Sequence, residues 1–204
     1  PIAMEYEHED KYPMPIVKKM KELGIFGFTI PEEYGGSGMD EVCYAIAMEE
    51  LSVGWMSVAG ILGTHMMTAW MLLHHGTEEQ KNTYLPKMAT GEWHSGMALT
   101  EPGSGSDAAA LRTTAVRQED QWVLNGTKMF ISNAENATMF SVFARTDPDA
   151  SKAKGISCII VHKGSPGFQV SRHLKKMGYR GIRTSELVFD EARVPIENLL
   201  GEEN

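Results

Sequence analysis

Two polar, turn-capable segments hold the residues with the clearest chemical potential in this chain. The first is Met97-Ala98-Leu99-Thr100-Glu101-Pro102-Gly103-Ser104-Gly105-Ser106-Asp107, and the second is Asn125-Gly126-Thr127-Lys128-Met129-Phe130-Ile131-Ser132-Asn133. In the first, a strand-like apolar stretch is broken by Thr100, Glu101 and Pro102, after which Gly103 and Gly105 let the backbone approach a ligand closely. Ser106 and Asp107 then offer side-chain oxygens, and either could cap the next turn of the chain. In the second, Trp122-Val123-Leu124 and Met129-Phe130-Ile131 flank Asn125-Gly126. That pattern predicts a two-residue hairpin turn, because a type I′ turn needs positive φ at both central residues. Such a hairpin can face the loop, so the two segments together could form one wall of a binding slot. Taken singly, each has a plainer reading as a strand exit or a turn.

Other residues invite chemistry less. His65 and His74 lie nine positions apart, and the neighbours His74 and His75 point in different directions, so the histidines do not make a helical metal pair. They read as helix-packing and surface residues. Glu101, directly after Thr100, reads as a carboxylate that braces the turn rather than as a general base. Gly103-Ser104-Gly105 has no P-loop lysine, which excludes a nucleoside triphosphate site of that kind. The 14 methionines, Met66, Met67 and Met71 among them, suit ordinary core filling, with an acyl-lining role as the alternative. Cys43 and Cys158 lack metal-type spacing and read as reduced, apolar-like thiols.

The elements that must position these segments divide into two textures. From Pro15 to Leu23 apolar residues recur at helical spacing, and Gly24 sits where such a helix stops. Asp40 can cap a second helix through about Val53, and a third fits Met56 to His74, closed by Gly76. Thr77-Glu78-Glu79-Gln80 reads as a capping box for a fourth helix ending near Gly91, in which Pro86 predicts a kink or an earlier stop. After Trp93, shorter β-branched segments and regular turn signals predict strands at Met139–Arg145, Ile156–His162, Phe168–Val170 and Glu186–Phe189. The boundary is expected between Gly91 and His94. A formal charge of −8 offers no concentrated positive surface for nucleic acid, and Trp55–Leu73 is interrupted by polar residues in the manner of a buried helix rather than a bilayer span. No nucleic-acid or membrane partner is expected, and no targeting segment is visible.

The two segments resemble the Thr-Glu-Pro-Gly-x-Gly-Ser-Asp loop and the Asn-Gly-x-Lys-x-(aromatic)-Ile-(Ser/Thr)-Asn hairpin of the acyl-CoA dehydrogenase family. Leu23–Gly27, Pro31–Gly38, Lys176–Gly181 and Val194–Gly201 are similar to further stretches in the family's order, so the likeness covers essentially the whole chain. It implies an α+β fold, with an N-terminal helical domain over 1–93 and a small antiparallel β-sandwich or barrel-like middle domain over 94–204. A C-terminal helical bundle is absent from this chain. It implies FAD, held by Met97, Leu99, Thr100, Ser106, Phe130, Ile131 and Ser132. Backbone at Leu99 and Thr100 and the Thr100 hydroxyl would meet the ring edge, with Phe130, Ile131 and Ser132 beside the ring and pyrophosphate. Ser106 would also touch the acyl-CoA substrate. Phe130 departs from the tryptophan of many relatives, and Arg183 stands where small or acidic residues are frequent. Arg183 could pair with a CoA phosphate or a substrate carboxylate, the alternative being a solvated surface arginine.

The family reaction removes an α-proton with a glutamate while the β-hydride passes to flavin N5, leaving a trans-2-enoyl-CoA and sending electrons to an electron-transfer flavoprotein. That glutamate belongs to the absent bundle, so no catalytic residue and no metal is assigned here. By the same resemblance the full-length protein is expected to be a homo-oligomer, tetramer or dimer, serving fatty-acid β-oxidation in the cytoplasm, or in the mitochondrial matrix of a eukaryote. Alternatives on the same scaffold are an acyl-CoA oxidase, a flavin monooxygenase, or a non-catalytic acyl-CoA-binding module.

Overall fold

Helix-period residues gather at the front of the chain and β-branched residues behind them, and the computed structural model, which describes residues 2–204 (backbone only for Lys152), follows that division. One unit comprises the chain up to His94 together with Lys175–Arg183, and the other comprises Ser95–Leu174 with Thr184–Asn204. The architecture is the expected one of helices followed by a mostly antiparallel sheet. The excursion Lys175–Arg183, which leaves the sheet and joins the helical unit, was not foreseen.

In the helical unit, a short helix α1 (Ala3–His8) precedes α2 (Met14–Glu22), whose Pro15 lies in the first turn, where a missing N–H costs no hydrogen bond. α2 buries Val17 and Met20, and Gly24, at φ 69°, ends it as expected. The two helices expected next are both present and follow one another without a loop, together α3 (Glu41–His75), separated by a break at Trp55, where φ −171° and ψ 109° are extended values. Asp40 caps it by accepting the Cys43 N–H at 2.8 Å. The second half of α3 buries Val58, Ile61, Leu62, Met66 and Leu72, while the first half leaves Val42, Ile46 and Val53 exposed. By length and composition α3 could cross a membrane, but 56% of its most apolar window is buried inside the protein. α4 (Glu78–Ala89) opens with the full capping box, since Thr77 Oγ accepts from Gln80 N and Gln80 Oε1 accepts from Thr77 N, both at 3.1 Å. The helix continues through Pro86 instead of stopping there. Burial of Tyr84, Leu85, Met88 and Ala89 on either side outweighs the one lost backbone hydrogen bond.

His65 is fully buried, with Nε2 3.1 Å from the Phe26 carbonyl oxygen, and its ring centroid lies 5.9 Å from that of His94. This is the packing role expected of His65. Burial, reinforced by repulsion between the two rings, lowers His65 to about 3, and burial with the charge of Lys21 lowers His94 to about 4. Both folded values lie below the unfolded value near 6.5. Their contribution to stability is therefore complete above pH 6.5 and is lost as pH falls towards 4. Thermal unfolding followed by circular dichroism should show a Tm that drops between pH 7 and 4.5, and the drop should be smaller in His65→Gln. Parallel pH profiles for the two proteins would remove the histidines from the explanation.

The sheet unit contains β1 (Ser95–Ala98), β2 (Thr114–Gln118), β3 (Gln121–Ser132), β4 (Met139–Arg145), β5 (Ile156–His162), β6 (Phe168–His173), β7 (Thr184–Pro195) and β8 (Leu199–Leu200). The order is β6-β7-β3-β2-β4-β5-β8, with β1 parallel to β4 and a single parallel bridge from β2 to β4. Trp122, Leu124, Ile131, Phe140, Val142, Ile159, Val161, Leu187 and Phe189 fill its core. β4 and β5 match the expected ranges, whereas β6 and β7 run longer than expected.

The hairpin expected at Asn125-Gly126 is not there. Those residues lie inside β3, and the two-residue turn falls earlier, at Glu119-Asp120, between the paired Gln118 and Gln121. The local turn signal yields to a long strand paired on both sides. A shift of register opposite β7 falls at this point, and Asn125 Oδ1 accepts the Glu191 N–H at 2.9 Å. Gly126 has φ 147°, and a Cβ there would sit 2.5 Å from Thr113 Oγ1 and 2.8 Å from Thr113 Cα. Gly126→Ala should therefore cost roughly 2–4 kcal/mol. Gly103→Ala, with nothing within 4 Å of the added carbon, should cost under about 1 kcal/mol. Denaturant titration of the three proteins checks the contrast, and equal midpoints for the two variants would refute it.

Candidate functional site

The loop and the strand segment singled out in the sequence are bound to each other. After β1, the chain makes a tight turn in which Glu101 N donates to Ser104 O at 2.9 Å and Ser104 N to Glu101 O at 3.1 Å. Ser104 Oγ then donates to the Asp107 carbonyl at 2.7 Å. Neither Ser106 nor Asp107 caps the short 3-10 turn Ala108–Ala110; Asp107 occupies the cap position without a side-chain hydrogen bond. Glu101 turns inward instead. Its carboxylate accepts from Arg112 N at 2.6 Å, Thr113 N at 2.9 Å and Lys128 Nζ at 2.8 Å. This is the turn-bracing role expected of Glu101. Lys128 also donates to the Leu99 carbonyl at 3.0 Å, and Met129 N donates to the Thr100 carbonyl at 2.8 Å.

The Lys128 side chain is 0% exposed and that of Glu101 7%, so the pair is a buried one. Burial works against the Glu101 carboxylate, but the Lys128 ammonium and the Thr113 and Arg112 donors outweigh it and hold its pKa below the usual range. Burial pulls the Lys128 ammonium down while Glu101 opposes the shift. The pattern is a charged pair whose remaining hydrogen-bonding capacity is spent on backbone, the condition under which such a pair is tolerated. In the sequence Lys128 is part of the second motif with nothing to mark a role for it. A lysine on a strand, with its partner many residues away, shows no local signal of burial.

A bulge in β3 decides what faces outward. Lys128 pairs with Leu187 and Ile131 with Ser185, so Met129 and Phe130 together oppose Glu186 alone. Lys128 and Ile131 are thereby both buried, although an unbroken strand would put residues three apart on opposite faces. Phe130, held at φ 62°, is 61% exposed. It is an aromatic side chain turned out of the core at a backbone conformation uncommon for its type. Asn133, also at φ 62°, ends the strand, and its carbonyl accepts from Asn136 N and Ala137 N.

The structure gathers most of the expected site residues in the sheet unit. Leu99, Thr100 and Ser132 are half-buried, as is Met97 on β1. Neither the Thr100 nor the Ser132 hydroxyl has a hydrogen-bond partner among the described residues. Ser106 is exposed on the loop. Ile131 is 2% exposed within the sheet core, so it can offer a ligand its backbone but not its side chain. Arg183 lies on the Lys175–Arg183 excursion in the helical unit and is half-buried rather than fully solvated. Cys43 and Cys158 are free thiols, and burial pushes Cys158 up to about 12.

A second constellation, in the helical unit, went unread in the sequence. The Glu7 carboxylate accepts from Trp55 Nε1 at 2.9 Å, Ser57 Oγ at 3.1 Å, Arg180 N at 2.6 Å and Gly181 N at 3.0 Å. Asp10 adds two contacts to the Arg180 guanidinium, at 2.8 and 3.0 Å. Together they fasten the break in α3 and the Lys175–Arg183 excursion to α1.

Comparison with known proteins matches the chain to the acyl-CoA dehydrogenase N-terminal domain over residues 1–92 and to the acyl-CoA dehydrogenase middle domain over residues 96–192. It is 44% identical over 204 residues to an acyl-CoA dehydrogenase of Bacillus subtilis (strain 168), covering 100% of this chain and 54% of that protein. It is also 44% identical over 205 residues to acryloyl-CoA reductase (NADH) of Anaerotignum propionicum, covering 100% and 52%. A glutaryl-CoA dehydrogenase from Mycobacterium smegmatis, solved in complex with FADH2, superimposes with a TM-score of 0.90 at 33% identity over 98% of this chain and 50% of that one. The chain spans about half the length of the relatives it matches.

Proposed function

Because the chain belongs to the acyl-CoA dehydrogenase family, we propose that it forms the front half of an FAD-dependent enzyme. The full-length protein oxidises an acyl-CoA thioester to the trans-2-enoyl-CoA and passes the electrons to an electron-transfer flavoprotein. The observation that carries this reading is the junction of the Leu99–Ser106 loop with the Phe130–Ser132 end of β3, made by Lys128 Nζ on the Leu99 carbonyl and Met129 N on the Thr100 carbonyl. FAD, when bound, supplies the hydride acceptor. The donor set fits a flat heteroaromatic ring. The Leu99 and Thr100 carbonyls are already occupied by β3, which leaves amide donors and the Thr100 and Ser132 hydroxyls for the ring edge. The exposed Phe130 ring offers an apolar surface beside it. Met97, half-buried on β1, and the Ile131 backbone are assigned to the same wall. Ser106, at the exposed end of the loop, is assigned to the acyl-CoA ligand as well as to FAD.

Full-length protein supplied with FAD and assayed against acyl-CoA esters of graded chain length, with an artificial electron acceptor, tests the proposal. Anaerobic bleaching of the flavin by a saturated acyl-CoA, with formation of the enoyl-CoA, is the expected result. Rapid recovery of colour in air would mark an oxidase instead, and failure to take up FAD would reduce the scaffold to a binding module. A second reading, reduction of an enoyl-CoA at the expense of NADH, draws support from the equal identity to acryloyl-CoA reductase (NADH). NADH consumption with an enoyl-CoA, in the absence of saturated substrate, would favour it.

A further inference from the structure

We propose that Lys128 is a positioning residue for the flavin: by holding the Leu99 carbonyl, it aims the Thr100 N–H at the ring edge. The proposal rests on the flavin reading above. In a trans peptide the carbonyl and the following N–H point in opposite directions. The Lys128 ammonium fixes the Leu99 carbonyl at 3.0 Å, so the Thr100 N–H is turned away from β3. The next peptide is fixed in the same manner, because Met129 N holds the Thr100 carbonyl at 2.8 Å. Two consecutive peptide planes are therefore clamped, one by a side chain and one by backbone. The Thr100 N–H and hydroxyl find no partner among the described residues. A donor held in place but unused inside the protein is what a ligand edge requires.

Simple bracing does not call for a lysine. A buried pair can often be replaced by apolar residues with little loss of stability, and the Glu101 carboxylate already has the Arg112 and Thr113 amides to accept from. What the ammonium alone adds is reach to a second acceptor, the Leu99 carbonyl, which no apolar side chain could hold. Glu101 and Lys128 are thus separable. Either substitution breaks the ion pair, but only loss of Lys128 frees the Leu99–Thr100 peptide.

The test compares Glu101→Gln with Lys128→Gln in the full-length protein, with apoprotein Tm, FAD affinity from flavin fluorescence and the visible flavin spectrum as readouts. Both variants should lower Tm. Glu101→Gln should keep FAD affinity within about twofold of wild type, whereas Lys128→Gln should weaken it about tenfold, the equivalent of one displaced hydrogen bond, and shift the flavin absorption maxima. If Lys128→Gln alone does not fold, the double variant E101Q/K128Q set against E101Q carries the same comparison. FAD affinity that falls in step with Tm in both variants would reduce Lys128 to a structural residue and overturn the proposal. Wild-type protein that takes up no FAD would instead overturn the flavin reading on which it stands.

Discussion

Lys128→Met should lower the unfolding free energy of the sheet unit by about 3–5 kcal/mol, the cost of leaving one member of a buried pair behind. Methionine fills the volume, so the loss does not come from a cavity. It comes from the Glu101 carboxylate, 7% exposed and deprived of its counter-charge, and from the Leu99 carbonyl, deprived of its donor. The pH dependence separates this cause from general loosening. In the wild type the Glu101 pKa is depressed, so its contribution is present above the unfolded value of about 4.5 and fades as pH falls through the folded one. Without Lys128 the strongest contribution opposing burial is gone, so the Glu101 pKa rises from its wild-type position and the deficit of the variant narrows as pH falls through the carboxylate range. Denaturant titration followed by Trp122 emission checks both parts. A deficit under 1 kcal/mol, or one that stays constant with pH, would contradict the assignment of the buried charge.

Glu7→Ala should destabilise the helical unit by about 2–3 kcal/mol, a range discounted because Glu7 is only half-buried. Four donors lose their acceptor at once, two of them the backbone amides of Arg180 and Gly181. Burial raises the Glu7 pKa, but these donors outweigh it and hold the value low, so its contribution is full above about pH 4.5 and disappears below the folded value. The gap between variant and wild type should accordingly close in acid. Glu7→Gln retains one accepting oxygen but turns an amide N–H2 towards donors, and should recover less than half of the loss. Trp55 emission is a direct monitor, since its indole N–H is one of the four donors. A Gln variant as stable as wild type would show that the charge on Glu7 adds nothing.

The short apolar, β-branched runs of β4 and β5 and the capping residues Asp40 and Thr77 are legible because each depends on neighbours within a few positions. Asn125-Gly126 was misread for the same reason. Its signal is local, while the residues that keep the chain straight there lie on β7 and at Thr113. Pro86 was over-weighted because burial on both sides of it is a tertiary property. The polar loop and the strand segment were recognisable as letters, but the lysine that joins them was not, since its burial arises from a bulge that shifts the alternation. Nothing local connects Glu7 to Gly181, 174 positions away.

A flavin held by this chain should have Leu99–Ser106 and Phe130–Ser132 as one wall of its site, which a structure of the full-length protein with FAD would reveal. The isoalloxazine edge should lie within hydrogen-bond distance of the Thr100 N–H or hydroxyl and of Ser132, with the Phe130 ring against the flavin. A flavin bound elsewhere, with Phe130 and Thr100 still facing solvent, would contradict this placement.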